Sequence, residues 1–356
     1  MLIYYLIWSF ICLAAFFFKR TAANKLTFIL FIIFLIVFTG LRFQIGGDWG
    51  NYLQIYDYFK GLSFNESLFI TDPGYSFFNY LSQIIGFSDT IFVNFLCSIF
   101  FYISFIFFYK KIENYWISLL VSFPYLILVV SMGYTRQSVA ISFFLIAMLY
   151  AIEKKLVNFL VFSLLAFIFH KSAIIILMFA PLFFLPRTFN SNFVFLSYTF
   201  FSFLVMSSAV YISSVSGENI YTDQSGEVSS AGAIFRIIVH FLPLIFYIFY
   251  RSEIKRILLE KIRLFDYLSL LILYTLALAI PFSTLADRFN LYLIVYDIFV
   301  FSYLFTILNV FNRQVMLGFI IFFNTIMLII WLNFGAWSHA WLPYQNYLFN
   351  YIIESF

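Results

Sequence analysis

Charge is what this chain lacks most. Only 10% of its 356 residues are Asp, Glu, Lys or Arg, against roughly a quarter in a soluble domain. With 64% hydrophobic residues and a mean hydropathy of +1.00, no water-soluble core of this length could hide the apolar surface. Cysteine is nearly absent: Cys12 and Cys97 lie inside apolar runs, which supports neither a disulfide framework nor a metal site. There are three histidines and no Asp/His cluster at ligand spacing, so no metal and no cofactor is expected. Phosphate loops and dinucleotide fingerprints are missing, and no basic surface suggests nucleic acid. The weak alternating segments of a membrane β-barrel are missing as well.

What is present is a series of long apolar runs. The class they define is an all-α polytopic membrane protein, one integral membrane domain over 1–356. The runs fall at about 2–18, 26–41, 89–109, 115–131, 134–152, 156–169, 172–185, 193–212, 234–250, 264–282, 289–308 and 315–334, about twelve transmembrane helices. Residues 74–86 form a further apolar stretch, expected as a re-entrant or interfacial helix. If it spanned, Lys110 and Lys111 would be forced to the outer side. Phe (55) and Tyr (26) are heavily used, in part as the aromatic belts of the two interfaces. No positive charge precedes the first apolar run, and Lys19 and Arg20 follow it. The segment therefore reads as a first spanning helix rather than a cleaved signal.

With the N-terminus outside, inner loops hold most of the 20 basic residues, at 19–25, 110–111, 154–155, 187, 251–263 and 313. That bias obeys the positive-inside rule. Six basic residues stay outside: Arg42, Lys60, Arg136, Lys171, Arg236 and Arg288. Five of them sit at or near helix ends, where a cation is costly without a partner. His170 and Asp287 stand beside two of these, and Asp48 a few residues beyond a third. Candidate functional residues thus collect on the outer face.

Three polar stretches stand out. Residues 42–73 form an outer loop with a short amphipathic helix, on which Trp49, Tyr52, Tyr56 and Phe59 make one aromatic side. Residues 213–233 are Ser/Gly-rich, carry Glu218, Asp223 and Glu227, and read as a mobile outer lid. The basic amphipathic segment "RSEIKRILLEKIR" (251–263) is expected along the anionic inner leaflet.

"RFQIGGDWGNY" (42–52) resembles the arginine–glycine–aspartate–aromatic–tyrosine signature of the EpsG-like membrane proteins of polysaccharide clusters. The match continues in "DPGYSFFNYL" (72–81), "GYTRQSVAISFFLIAMLYAIEKK" (133–155), "FSLLAFIFHKSAIIIL" (162–177) and, more weakly, "ADRFNLYL" (286–293). The resemblance implies a Wzy-type polymerase of O antigen, capsule or exopolysaccharide, with a fold like that of the lipid-dependent (GT-C-like) glycosyltransferases. It implies a bacterial inner-membrane enzyme facing outward that moves a growing glycan from undecaprenyl diphosphate onto the next lipid-linked repeat unit. The expected partners are that lipid-linked oligosaccharide, membrane lipids and a chain-length regulator. A ligase or single-sugar transferase using a polyprenyl-linked donor would need the same cations. A lipid-linked glycan transporter would instead bury charge through the depth of its bundle, where Asp297 is the one deep acid.

The implied leaving group is a lipid diphosphate, so fixed cations must meet its charge. Arginine suits this, with a planar fork that pairs two phosphate oxygens. Arg42, Arg136 and Arg288 are the diphosphate candidates, with Lys171 as a point charge. Asp48 and His170 are the candidate general bases for the acceptor hydroxyl. Trp49, Tyr52, Tyr56, Asp223 and Asp287 are weaker candidates for glycan contact. Each residue also has a plainer reading. Arg42 could snorkel at a helix end, and Asp48 could cap the amphipathic helix. Asp287 could pair locally with Arg288, and the aromatic side could be interfacial belt. Arg136 opens a helix, where its charge opposes the dipole and calls for an anion. Gly46–Gly47 permits a tight turn and a close approach to an anion or to another segment.

Overall fold

The computed structural model of the protein describes residues 1–17, 22–112, 115–215 and 232–348. They are almost entirely helical; the one β-type pairing is an isolated antiparallel bridge between Arg42 and Asn346. In chain order the principal helices are α1 (Leu2–Phe17), α2 (Ala22–Gly40), α3 (Trp49–Asp57), α4 (Pro73–Ile85), α5 (Ile91–Lys111), α6 (Tyr115–Gly133) and α7 (Thr135–Ile152). They continue as α8 (Leu156–Phe169), α9 (Lys171–Phe184), α10 (Asn192–Val215), α11 (Ala233–Phe249), α12 (Arg251–Leu278), α13 (Ser283–Ile307) and α14 (Val310–Phe334).

Every one of the twelve apolar runs lies on a helix. Among the described residues five helices (α5, α6, α7, α13 and α14) are long and apolar enough to cross a membrane, and a sixth span arises if α11 and α12, bent by 79°, count as one. Shorter apolar stretches of 10–17 residues lie at Leu2–Phe17, Asn24–Gly40, Leu156–Phe169, Lys171–Phe184 and Asn192–Ser208, below the roughly 20 that a bilayer core asks of a straight helix. Residues 74–86 form α4, whose start and stop are written in its sequence. Asp72 precedes it, Pro73 takes the first position, and Gly86 ends it in the left-handed region at φ 94°.

The chain divides into two compact units. Unit 1 comprises 1–149, 158–173 and 308–356; unit 2 comprises 150–157 and 174–307. In unit 1, α6 contains a π-helical stretch, Phe123–Val130, entered at Pro124. Such a stretch misaligns backbone carbonyls from their usual donors, and one of them, Leu128 O, accepts from the indole N–H of Trp341 at 2.8 Å.

Trp341 belongs to a strap, 338–347, that follows α14 and binds the loop after α2. Phe43 N–H donates to Gln345 O (3.0 Å), Tyr347 N–H to Leu41 O (2.8 Å) and Gly46 N–H to Ala340 O (3.0 Å). Tyr344 stacks on Phe38 at 4.3 Å, and the Tyr347 hydroxyl donates to Asp89. Gly46 explains the diglycine: its φ is +112°, and a Cβ there would stand 2.4 Å from Met132 O. Of the two readings, close approach to another segment is what the backbone makes.

Candidate functional site

Several helix ends of unit 1 carry the polar residues. Arg42 follows α2 and is 1% exposed. Its guanidinium donates to Thr39 O (2.8 Å), Ile45 O (3.2 Å), Asn94 Oδ1 (3.1 Å) and Thr135 Oγ1 (2.8 Å). Four of its five N–H groups are thus spent on neutral oxygens from α2, the loop, α5 and α7. A buried guanidinium held this way ties helices together.

The next residue after Thr135 behaves differently. Arg136, 24% exposed at its side chain, lies 2.9 Å from Asp72 Oδ2 and also donates to the Thr71 hydroxyl. Its guanidinium lies 5.8 Å from the centre of the Tyr75 ring. The anion that a cation at a helix start calls for is therefore Asp72, 64 residues earlier in the chain.

Asp72 holds the N-cap position of α4, yet its carboxylate makes no cap bond to that helix. Instead Oδ2 meets Arg136, and Oδ1 accepts the backbone N–H of Lys171 at 3.3 Å. The side chain is 7% exposed. Burial pushes its carboxyl above the usual carboxylate range; Arg136, the Lys171 N–H and the Lys171 charge offset only part of that. A buried carboxylate with raised proton affinity, beside two cations, is suited to take a proton from a hydroxyl. Asp72 was not singled out in the sequence, although it opens "DPGYSFFNYL". The usable signal was an aspartate before Pro-Gly, in a chain with so few acids.

His170 follows α8, and Lys171 opens α9 with its backbone N–H on this carboxylate. Ser172 N–H reaches His170 Nδ1 at 3.3 Å, and the Ser172 hydroxyl lies 2.7 Å from the same nitrogen. With Nδ1 accepting from the backbone, a neutral ring carries its proton on Nε2. The Lys171 side chain is exposed. Arg136 and Lys171 therefore come together through Asp72, and His170 is the residue before Lys171 in the chain.

The candidates on α3 have contacts of their own, and Tyr52 reaches the Tyr75 ring that lies beside Arg136. Asp48 stands at the N-cap position of α3, with Asn51 Nδ2 3.5 Å from its carboxylate. Tyr52 and Tyr56 are 5% and 1% exposed. The Tyr52 ring packs on Tyr75, and the Tyr56 hydroxyl donates to Phe87 O at 2.7 Å. The aromatic side of α3 thus faces protein, and Trp49 is half-buried with its ring edge-on to Phe43. Asp223 and most of 213–233 lie outside the described residues.

In unit 2, Arg288 is half-buried on α13, one residue from Asp287. Asp287 is gripped by Arg236, which reaches its two oxygens at 2.7 and 2.9 Å. One turn further along α11, His240 Nδ1 lies 2.6 Å from Asp297 Oδ2, both residues buried. At the other end of α11, Arg251 and the Tyr247 hydroxyl converge on Asp266 at 2.6 and 2.7 Å. The basic segment 251–263 is helical, with Ile254 and Leu258 buried and Ser252, Lys255 and Arg256 exposed. Among the described residues no group of three His, Cys, Asp or Glu could hold a metal ion.

Apolar helices of membrane length, with charged clusters at their ends, define a multi-pass helical membrane protein. The chain belongs to the EpsG family, whose model matches residues 25–346. No curated protein and no solved structure matches the chain.

Proposed function

We propose that the protein is a glycosyltransferase that polymerises a surface polysaccharide, with Asp72, Arg136, Lys171 and His170 as its site. Membership of the EpsG family supports this reaction class. The observation that carries the site is the buried Asp72 carboxylate held between Arg136 and the Lys171 N–H, at the end of unit 1 where α4 and α7 begin and α8 ends.

In this reading the acceptor sugar hydroxyl attacks the anomeric carbon of the lipid-linked donor. The bond from that carbon to the diphosphate oxygen breaks, and its electron pair leaves with the polyprenyl diphosphate. Arg136 and Lys171 stabilise that charge, Arg136 by a fork that can pair two oxygens. The hydroxyl proton passes to Asp72, whose raised proton affinity suits the transfer; His170, as an Nε2–H donor, hydrogen-bonds the diphosphate or a sugar oxygen. Arg42 becomes a positioning residue beneath Arg136, Asp48 a residue of the α3 turn, and Tyr52 and Tyr56 packing residues. Arg288 remains a phosphate-binding candidate on unit 2. Undecaprenyl diphosphate as carrier, an outward-facing site in a bacterial inner membrane, twelve spans and a GT-C-like architecture complete the proposal.

The test is genetic and chemical. In the source organism, loss of the gene should reduce the surface glycan from a multi-unit ladder to single repeat units. Complementation with Arg136→Ala or Asp72→Asn should leave single units while the protein still inserts at normal level. A retained ladder in the deletion would end the polymerase reading. Loss of one sugar or of one transfer to a lipid core would point to a single-sugar transferase or a ligase.

A further inference from the structure

We infer that a phenylalanine-walled groove in unit 1 holds the head-proximal isoprene units of a polyprenyl diphosphate whose anionic head sits at Arg136 and Lys171. This rests on the proposed function and adds to it a lipid-chain site.

The groove lies between α4, α5, α7 and α8 and encloses about 550 Å³, within the roughly 300–1,000 Å³ of small-molecule sites. Its lining contains no charged or hydrogen-bonding side chain. Phe78, Phe100, Phe107, Phe143, Phe162 and Phe169 form a connected wall. Ring centroids are 5.2 Å apart for Phe78–Phe100 and Phe78–Phe169, 6.1 Å for Phe100–Phe143 and Phe143–Phe162, and 6.0 Å for Phe107–Phe162. Along α5 the lining runs from Phe100 to Phe107, and along α8 from Phe162 to Phe169. Each stretch is about 10 Å long at 1.5 Å per residue, enough for a short run of a lipid chain.

Two observations say what fills it. The first is continuity: Pro73 and Phe169 line the groove, and the residues next to them are Asp72 and His170. The apolar channel therefore opens on the charged site. The second is charge. Arg136 and the Lys171 charge both act on Asp72 at that mouth, and two cations gathered in one place suit an anionic head. A chain of flat, methyl-branched alkene units lies against ring faces and gives up less rotamer freedom than a saturated acyl chain would. Gly74 allows close packing at the mouth: a Cβ there would meet the Phe169 ring at 2.9 Å and Ile168 Cγ2 at 3.0 Å, so any side chain would have to displace groove-lining groups.

The experiment is photolabelling of the purified full-length protein in nanodiscs by a polyprenyl diphosphate with a diazirine in its first isoprene units. Adducts should map to 100–107 and 162–169. Unlabelled polyprenyl diphosphate should compete, and phosphatidylglycerol should not. Ile103→Trp or Leu165→Trp, each filling the groove, should cut labelling at least tenfold, while Leu164→Trp, on the exposed side of α8, should leave it unchanged. Adducts spread over other helices, or equal competition by phosphatidylglycerol, would overturn the assignment. Labelling needs no turnover, so the two ideas fail separately. A labelled groove in a strain that keeps its ladder without the gene sinks the polymerase alone; adducts elsewhere with the ladder lost sink the groove alone.

Discussion

Arg136 and Asp72 meet at 2.9 Å across 64 residues of chain, one opening α7 and the other preceding α4. Each solves the other's problem. Arg136 opposes the α7 dipole, and Asp72 is buried away from water. Arg136→Lys keeps the charge but loses the fork. It should cut polymer formation by roughly tenfold or more, read by in vitro extension of a lipid-linked unit.

Asp72 also sets an expected pH dependence. Its carboxyl is raised by burial, so the proton-accepting form accumulates only above the usual carboxylate range. Activity should rise with pH through that raised value, and Asp72→Asn should remove both the limb and the activity. The same shift acts on stability with opposite sense: the unfolded chain gives up this proton first, so folding is weakened as pH rises through the raised value. Asp72→Asn should therefore melt at or above the wild-type temperature near neutral pH while being inactive.

Arg42 should behave as a structural residue. Truncation to Ala strands four acceptors in the interior, at a cost on the order of 3–5 kcal/mol. Arg42→Lys should rescue little, because one ammonium cannot reach four divergent oxygens. The check is detergent melting and membrane yield of Arg42→Ala beside Arg136→Ala. Equal yield of the two would contradict this division of labour.

The two neighbouring glycines should differ. Gly46→Ala brings both the strain of φ +112° and a contact 2.4 Å from Met132 O, for about 1–3 kcal/mol from the backbone strain alone. Gly47→Ala has its nearest neighbour at 3.9 Å, on Trp337, and should be tolerated. Thermal melting of the pair decides it.

His240 and Asp297 form a buried pair in unit 2. Replacing His240 by Leu leaves the carboxylate alone in the interior and should destabilise by about 3–5 kcal/mol, whereas the double change to apolar residues of similar volume should recover most of the loss. A double-mutant cycle with no coupling would show the contact to be idle.

By itself the amino-acid sequence determined the helical membrane class and the place of every apolar run, because scarcity of charge and run length are local properties. It determined that α7 needs an anion at its start, since the dipole argument requires only neighbours. It also determined the family, through short motifs in order. What lay beyond it was pairing. Nothing local names Asp72 as the partner of Arg136, joins His240 to Asp297, or sends Arg42 inward to four neutral oxygens while Arg136 stays half in reach of solvent. The strap at 338–347, including Trp341 on a carbonyl of α6, was equally invisible, because its bonds cross more than 200 residues. Those contacts depend on which helix ends the folded chain brings together, and tertiary packing alone decides that.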